Sequence, residues 1–591
     1  MSTETPAAEP KTPKLTPAEK HKAESKHLRG SIANVLADDG KKGFPVGDQT
    51  ILKVHGLYEQ TNRDDRKSGA QFMIRIMAPG GKMTSKQWLV LDQLADDHTQ
   101  NHSIRLTTRQ AVQFHTMVKG DLKPLITRVH QALMTSWAAC GDVQRNVMAS
   151  GAPFASPIHN QVQQIADQLS RKLAPQSGAY HEIWLDGQKI DGNTGCPVCV
   201  GDTAKNGGNE EPFYGENYLP RKFKVGIGLA DDNAVDIFTH DAALIAIPEG
   251  GTIKAVNVLA GGGLGMTHRI EETIARLGST LGSVPVEKAA DAIRAIATVY
   301  RDNGNRSDRR AARTKYLLES MGVDGFRAAV EKAGNFTFAP ALPTGEIKYQ
   351  DYIGAHAQGD GKFFYGVWIE NGRISDVGDF KLRSAMRQIT STIAPRIVLA
   401  PNQQLFFADL TAEQVKQIEA TLAGHGCATP ANLSNARRYA MACVALPTCG
   451  LALAESERAL PDILTTIEKE LAARGLQDER LTIRMTGCPN GCARPYTADL
   501  AFVGRKPEVY DIFLGGRIEG TRLAELYLEN VAVDDLMAKL APVFDAWGKE
   551  RVKGETLGDF YNRKYAGGAT RTLINGGKEK QAYLTIFGQP A

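Results

Sequence analysis

Residues 103–115 read SIRLTTRQAVQFH, and residues 397–408 read IVLAPNQQLFFA. Aligned on Ile104 and Ile397, the pairs Leu106/Leu399, Gln110/Gln403, Val112/Leu405 and Phe114/Phe407 fall in register. Such self-similarity within one chain signals duplication. The surroundings repeat as well. Upstream of each copy lies a strand–turn–strand pattern, FMIRIMAPGGKMT from Phe72 and FYGVWIENGRIS from Phe364, with glycine at the turn where positive φ is easy. Between pattern and copy, residues 85–98 and 381–393 carry helical periodicity. Further on, AVNVLAGGGLG from Ala255 and VYDIFLGGRIEG from Val509 are both apolar strands entering Gly-Gly turns. The chain therefore reads as an internally duplicated α+β protein, each half a small α+β unit followed by a larger one.

The halves have diverged unevenly. Arg105, Thr107, Arg109 and His115 of the first copy face Val398, Ala400, Asn402 and Ala408 of the second. The second half instead holds four of the chain's eight cysteines, Cys443, Cys449, Cys488 and Cys492, in MACVALPTCG and TGCPNGCARP. One site shared between two divergent halves accounts for that asymmetry. Four thiolates suffice for a zinc ion or a cubane iron–sulfur cluster. Five residues between Cys443 and Cys449 are too many for a tight zinc knuckle, and Pro447 and Pro489 stiffen loops whose backbone N–H groups can face sulfur. The spacing favours a cluster over zinc and over plain buried cysteines. Cys196-Pro-Val-Cys199 sits in a Gly/Asn/Asp-rich loop and reads as incidental thiols; Cys140 and Cys427 read as packed cysteines.

Cations form the second constellation. If SIRLTTRQAVQFH is extended, Arg105, Thr107, Arg109, Gln113 and His115 share one face and the apolar residues mainly the other. In YLPRKFKVGIG, Lys222 and Lys224 point one way, Arg221 and Phe223 the other. NRSDRRAARTKY adds Arg306, Arg309, Arg310, Arg313 and Lys315. These rows lie in apolar, β-rich segments with few acidic neighbours, so something anionic should neutralise them; a ligand with many carboxylates would need such a set of donors. Nucleic acid is the rival polyanion; the scattered strand segments and the absence of a recognition helix speak against it.

Composition narrows the class. The 591 residues suggest roughly three to five domain-sized units. Seventy Lys+Arg against 66 Asp+Glu leave a charge of +4, too small for a general polyanion binder. No apolar run is long enough for a membrane span, and residues 1–27 lack the apolar core of a secretion signal. A cytoplasmic protein with a solvated N-terminal arm is expected. No G-x-x-x-x-G-K-S/T occurs, and Met266 stands where G-x-G-x-x-G needs its last glycine, so electrons for a cluster must arrive from another protein.

The combination MACVALPTC with TGCPNGCARP, together with SIRLTTRQAVQFH, RNVMAS, YLPRKFK and NRSDRRAARTKY, resembles the sirohaem-containing sulfite and nitrite reductases, and most of all their assimilatory sulfite reductase haemoprotein (beta) subunits. The resemblance runs from about residue 28 to 575. It implies two small ferredoxin-like α+β units and two larger α+β units around one shared sirohaem/iron–sulfur site. The implied division is an arm over 1–50, a first small unit over 51–140, a first large sirohaem- and substrate-binding domain over 141–345, a second small unit over 346–428, and a second large, cluster-bearing domain over 429–591. It implies that Cys443, Cys449, Cys488 and Cys492 ligate one [4Fe–4S] cluster, Cys492 serving also as the axial ligand of sirohaem iron. Arg105, Thr107, Arg109, Gln113, His115 and Arg221 match sirohaem-binding positions, and Arg75, Arg145, Lys222 and Lys224 match substrate-anion positions. The implied reaction is six-electron reduction of sulfite to sulfide for cysteine biosynthesis, fed by an NADPH-dependent flavoprotein or by ferredoxin. Ferredoxin-dependent reduction of nitrite to ammonia is the alternative within the family. A zinc-stabilised nucleic-acid-binding protein is the alternative outside it. The Cys196–Cys199 loop is longer than the family pattern leads one to expect and lies just upstream of Lys222 and Lys224.

Overall fold

The computed structural model describes residues 14–65, 67, 69–176, 183–185, 188–190, 211–566 and 572–574. Cys196 and Cys199 lie outside the described residues.

The duplication is written into the sheet topology. The first large sheet orders Met148–Ala149, Val225–Gly228, Ala242–Glu249, Thr252–Ala260 and Ser279–Pro285; the second orders Met441–Ala442, Ile483–Thr486, Leu500–Lys506, Val509–Leu514 and Glu525–Ala532. In both, the first three strands run parallel and the last two join antiparallel. Each sheet is followed by an amphipathic helix, Ala289–Asn303 or Leu536–Glu550, whose apolar face is buried.

The small sheets correct one expectation. Their four local strands are Leu57–Thr61, Ala70–Ile76, Val112–Met117 and Ile104–Leu106 in one, and Gly354–Ala357, Phe363–Val367, Leu405–Leu410 and Arg396–Leu399 in the other. The second strand of each strand–turn–strand pattern does not fold back on the first. Lys82–Met83 crosses to pair with Arg396–Leu399, and Arg373–Ile374 crosses to pair with Ile104–Leu106. Glycine makes the crossings possible. Gly81 (φ +78°) and Gly372 (φ +74°) lie so close to the carbonyls of Leu399 and Leu106 that a Cβ would approach those oxygens to 2.2 and 2.4 Å. A period of two marks a strand but not the sheet it joins.

SIRLTTRQAVQFH is likewise not one strand. It is a hairpin, Arg105 opposite Gln113, with a turn over residues 107–111 where Gln110 takes φ +48°. The Thr107 hydroxyl accepts from the N–H groups of Arg109 and Ala111, each at 3.2 Å, and holds that turn.

One apolar core joins both small sheets to the first large sheet, running from Leu28 to Cys427; a second fills the last large unit from Ala436 to Tyr561. The N-terminal segment is a further correction. From Thr16 onward it is not a solvated arm: helices Pro17–Glu24, Ile32–Ala37 and Val46–Ile51 pack with Leu28, Ile32 and Val35 buried. Buried Glu19 accepts from Arg306 at 2.5 Å, and Lys22 donates to the Leu219 carbonyl at 2.9 Å. The apolar residues are too sparse there to show a clear period, yet enough to dock. No helix among the described residues is long and apolar enough to cross a membrane.

Candidate functional site

Strand register superposes the two halves residue by residue. Met148 pairs with Gly226 as Met441 pairs with Arg484, and Ala242 with Val225 as Leu500 with Ile483. Lys224 N–H donates to Asp241 at 2.9 Å, and Thr482 N–H donates to Asp499 at 2.9 Å. On this register Cys443, Cys488 and Cys492 stand where the first half has Ser150, Ala230 and Ala234. The hydrogen bonding is kept: Leu229 N–H donates to Ser150 Oγ at 3.3 Å, and its counterpart Gly487 N–H donates to Cys443 Sγ at 3.4 Å. The cysteine site is thus a modified version of a pattern the first half still carries, with an amide already aimed at sulfur.

The four thiols lie close enough to act on one another. Burial, then Cys492 and Cys488, pushes the Cys443 thiol up; burial, then Cys492, pushes Cys488 up to about 12. A positively charged centre is what makes thiolates favourable there. Among the described residues, no three His, Cys, Asp or Glu side chains could hold a single metal ion. Zinc needs its ligands converging at about 2.3 Å on one point. A cubane, in which each thiolate takes a different iron, asks for no such single point.

The basic residues converge on the same place, by three routes. The hairpin turn touches the cysteine loop directly, Thr108 Oγ1 donating to the Cys492 carbonyl at 2.8 Å. Arg109 in that turn donates to the carbonyls of Asn146 (3.0 Å) and Val225 (3.3 Å) and to His240 Nδ1 (3.2 Å). Lys222 and Lys224 precede the strand Val225–Gly228 and share an electrostatic environment with Arg109, Arg145, Arg221, Arg313 and Cys492. Burial first, then Arg313, pushes Lys222 down to about 7, and burial, then Lys222 and Arg109, drives Lys224 well below its ordinary value. The side chains of Arg221, Lys222 and Lys224 make no hydrogen bond or ion pair among the described residues. Arg75 reaches Cys140 Sγ at 3.0 Å while its Nε has no partner among the described residues, and Arg145 Nε donates to the Gly141 carbonyl at 2.8 Å.

Other cations are already neutralised, contrary to the expectation of few acidic neighbours. Arg306 pairs with Glu19, Arg309 with Asp142, Arg310 with Asp308 and Arg313 with Asp241; Lys315 caps the carbonyls of Gly263 and Gly265. Arg105 donates to Glu457 (2.8 Å), which also binds Arg373, and to the Ala442 carbonyl (2.9 Å). Gln113 donates to Met73 Sδ at 3.3 Å. His115 is buried, its ring kept neutral by burial and by Arg373, Arg105 and Arg75, and its Nδ1 has no partner among the described residues. Apart from the exposed Arg310, these cations are buried or half-buried and form no solvated face, which speaks against the nucleic-acid reading. Sequence reasoning missed Thr108, Asn146, His240 and Asp241. Asn146 lies inside the quoted RNVMAS and fixes the turn by donating to the carbonyls of Arg109 (2.9 Å) and Gln110 (3.0 Å). His240 and Asp241 carried no local signal.

Residues that would hold an anionic macrocycle are therefore present among those described: cations without a partner, two of them near Cys492, an orphaned imidazole nitrogen and an orphaned guanidinium nitrogen. Comparisons with known proteins agree. Residues 64–132 match the nitrite/sulfite reductase ferredoxin-like half domain and residues 165–336 the nitrite and sulphite reductase 4Fe-4S domain; the cysteine quartet lies beyond the second match. The chain is 43% identical over 568 residues to "Sulfite reductase [ferredoxin]" of Synechococcus elongatus, covering 94% of this chain and 90% of that one. It is 42% identical over 558 residues to "Sulfite reductase [NADPH] hemoprotein beta-component" of Staphylococcus saprophyticus, covering 93% and 96%. The same-named protein of Geobacillus kaustophilus is 41% identical over 553 residues, covering 92% and 95%. Mycobacterium tuberculosis NirA shares the fold, with a TM-score of 0.75 at 22% identity over 93% of this chain and 96% of that one.

Proposed function

The chain belongs to the nitrite and sulfite reductase family, and from that premise we propose how its residues divide the work. It is a sulfite reductase carrying one sirohaem and one [4Fe–4S] cluster. Those groups supply electron storage and a metal that binds sulfite. The relatives' names favour sulfite over nitrite as the substrate.

Cys443, Cys449, Cys488 and Cys492 are the residues that would hold the cluster, and Cys492 would also serve as a ligand of the macrocycle's iron. The macrocycle's carboxylates fall to Arg109, Arg221, His115, Thr107 and Gln113. Arg105 is the weakest member of that set, because Glu457 already takes its charge. Thr107 spends its lone pairs on the turn, but its hydroxyl proton remains available. Arg75, Arg145, Lys222 and Lys224 are the proposed substrate residues. The arginines stay charged and hold an oxyanion in place. The lysines have depressed proton affinity, so each can pass a proton to an oxygen leaving as water. Reduction of sulfite to sulfide consumes six electrons and six protons and releases three waters, so nearby donors are needed repeatedly. We propose an NADPH-fed flavoprotein as electron donor, ferredoxin being the other candidate, and the cytoplasm as the compartment, where these thiols stay reduced.

The observation that carries this reading is the meeting of Lys222 and Lys224, whose side chains have no partner among the described residues, with Cys492. Its test is sulfide release by the purified chain with an artificial reductant. Sulfite should be reduced more efficiently than nitrite. Lys224→Met should keep the visible bands and lose about 10²-fold in sulfite turnover. Unchanged turnover would remove Lys224 as proton donor.

A further inference from the structure

We propose that His240 is a positioning residue for Arg109: it fixes the guanidinium so that two N–H groups face a carboxylate of the bound macrocycle. The inference rests on the reading that Arg109 meets such a carboxylate.

His240 is buried and sits at the end of the short turn before the strand Ala242–Glu249. Its Nε2 lies 3.0 Å from the Val235 carbonyl, which can only accept, so Nε2 carries the proton. Nδ1 is then a lone-pair acceptor, and it takes the Arg109 Nη2–H at 3.2 Å. Burial, then Arg109, keeps the ring neutral, as that acceptor role requires. Arg109 Nη1 is occupied by the carbonyls of Asn146 and Val225. Of five guanidinium hydrogens, this leaves the Nε–H and one Nη2–H without a partner among the described residues, enough for a two-point carboxylate contact.

The other half of the molecule supplies an independent observation. At the register positions of Arg109, Gly226 and His240, it has Asn402, Arg484 and Ala498. His240 needs Gly226, because a Cβ there would lie 2.6 Å from its Cε1. In the second half the small Ala498 replaces the imidazole, and the strand position carries an arginine instead. Arg484 turns to the Arg494 carbonyl (3.0 Å) and Asp236 (3.3 Å), an internal ion pair. Turn arginine, glycine and histidine thus occur together in the half where Lys222 and Lys224 have no partner among the described residues, and all three are replaced in the other half.

The test compares sirohaem content per cluster in purified holoenzyme, from visible absorbance against iron and labile sulfide. His240→Leu should lower sirohaem per cluster about fivefold with the cluster intact, the loss of one net hydrogen bond. His240→Asn, whose amide oxygen can replace Nδ1, should restore most of it. Arg109→Ala should lose at least as much, and adding His240→Leu to Arg109→Ala should cost nothing more. Full sirohaem in His240→Leu alongside loss in Arg109→Ala would overturn the proposal and leave the reading of Arg109 standing. Full sirohaem in Arg109→Ala would overturn both. Loss of cluster together with sirohaem in His240→Leu would make His240 a packing residue and overturn the proposal.

Discussion

Asp232 shows how a single residue's environment can be turned into a pH experiment. Burial pushes its carboxyl up to about 7. The folded chain therefore holds a proton that the unfolded chain gives up near the ordinary carboxylate range. Stability is greatest below that range and falls as pH rises through about 7. Asp232→Asn removes the cost of burying the charge. It should stabilise the fold by up to about 4 kcal/mol at pH 8, with the gain shrinking toward pH 4. Unfolding midpoints of both proteins at the two pH values check this; an equal gain at both would contradict it. At this scale the sequence was legible where chemistry is local. Four cysteines in two short loops, and lysines at 222 and 224, needed no topology to be noticed. Glu457, His240 and Asp241 were invisible because their partners, Arg105, Arg109 and Arg313, lie far along the chain.

Helices and strands were legible as elements but not as pairs. The helix Ser85–His98 and the helix Leu382–Thr392 were both readable from their periodicity. Their contact was not, and it contains a four-membered ion-pair network. Asp92 and Asp96, one turn apart, face Arg383 and Arg387, also one turn apart. Arg383 donates to Asp92 at 2.7 Å and to Asp96 at 2.6 Å; Arg387 binds both acids too. Arg383 and Asp92 are buried, so Arg383→Met would strip a buried carboxylate of its main partner. The expected loss is about 3 kcal/mol in chemical denaturation. A change within a few tenths would mean that Arg387 alone suffices. The hairpin turn at residues 107–111 was misread as strand because alternation continues through it; only the left-handed Gln110 reveals the reversal.

On the scale of the molecule, the two halves are interlocked. Each small sheet borrows its edge strand from the other half, and one apolar core runs through both. The stretch 341–347 joining them is largely exposed. Cleavage engineered there should leave two fragments that co-elute and unfold together. Fragments that separate in native buffer would show that the exchanged strands carry little of the cohesion. Duplication was legible because both copies keep the same alternation and turn residues. The exchange was not, because a strand's sequence records its two faces and not its neighbours. The same duplication explains why one site exists: cysteines replace Ser150, Ala230 and Ala234 in one half only, while the lysines and Arg109 belong to the other.

The central claim is that these two unlike halves assemble one cluster and one macrocycle between them. The most direct measurement is the iron, labile sulfide, zinc and tetrapyrrole content of the purified chain. The account predicts about five irons, about four sulfides and one tetrapyrrole per chain, with no zinc. A colourless chain loaded with zinc, or one with a cluster and no tetrapyrrole-binding capacity, would contradict it.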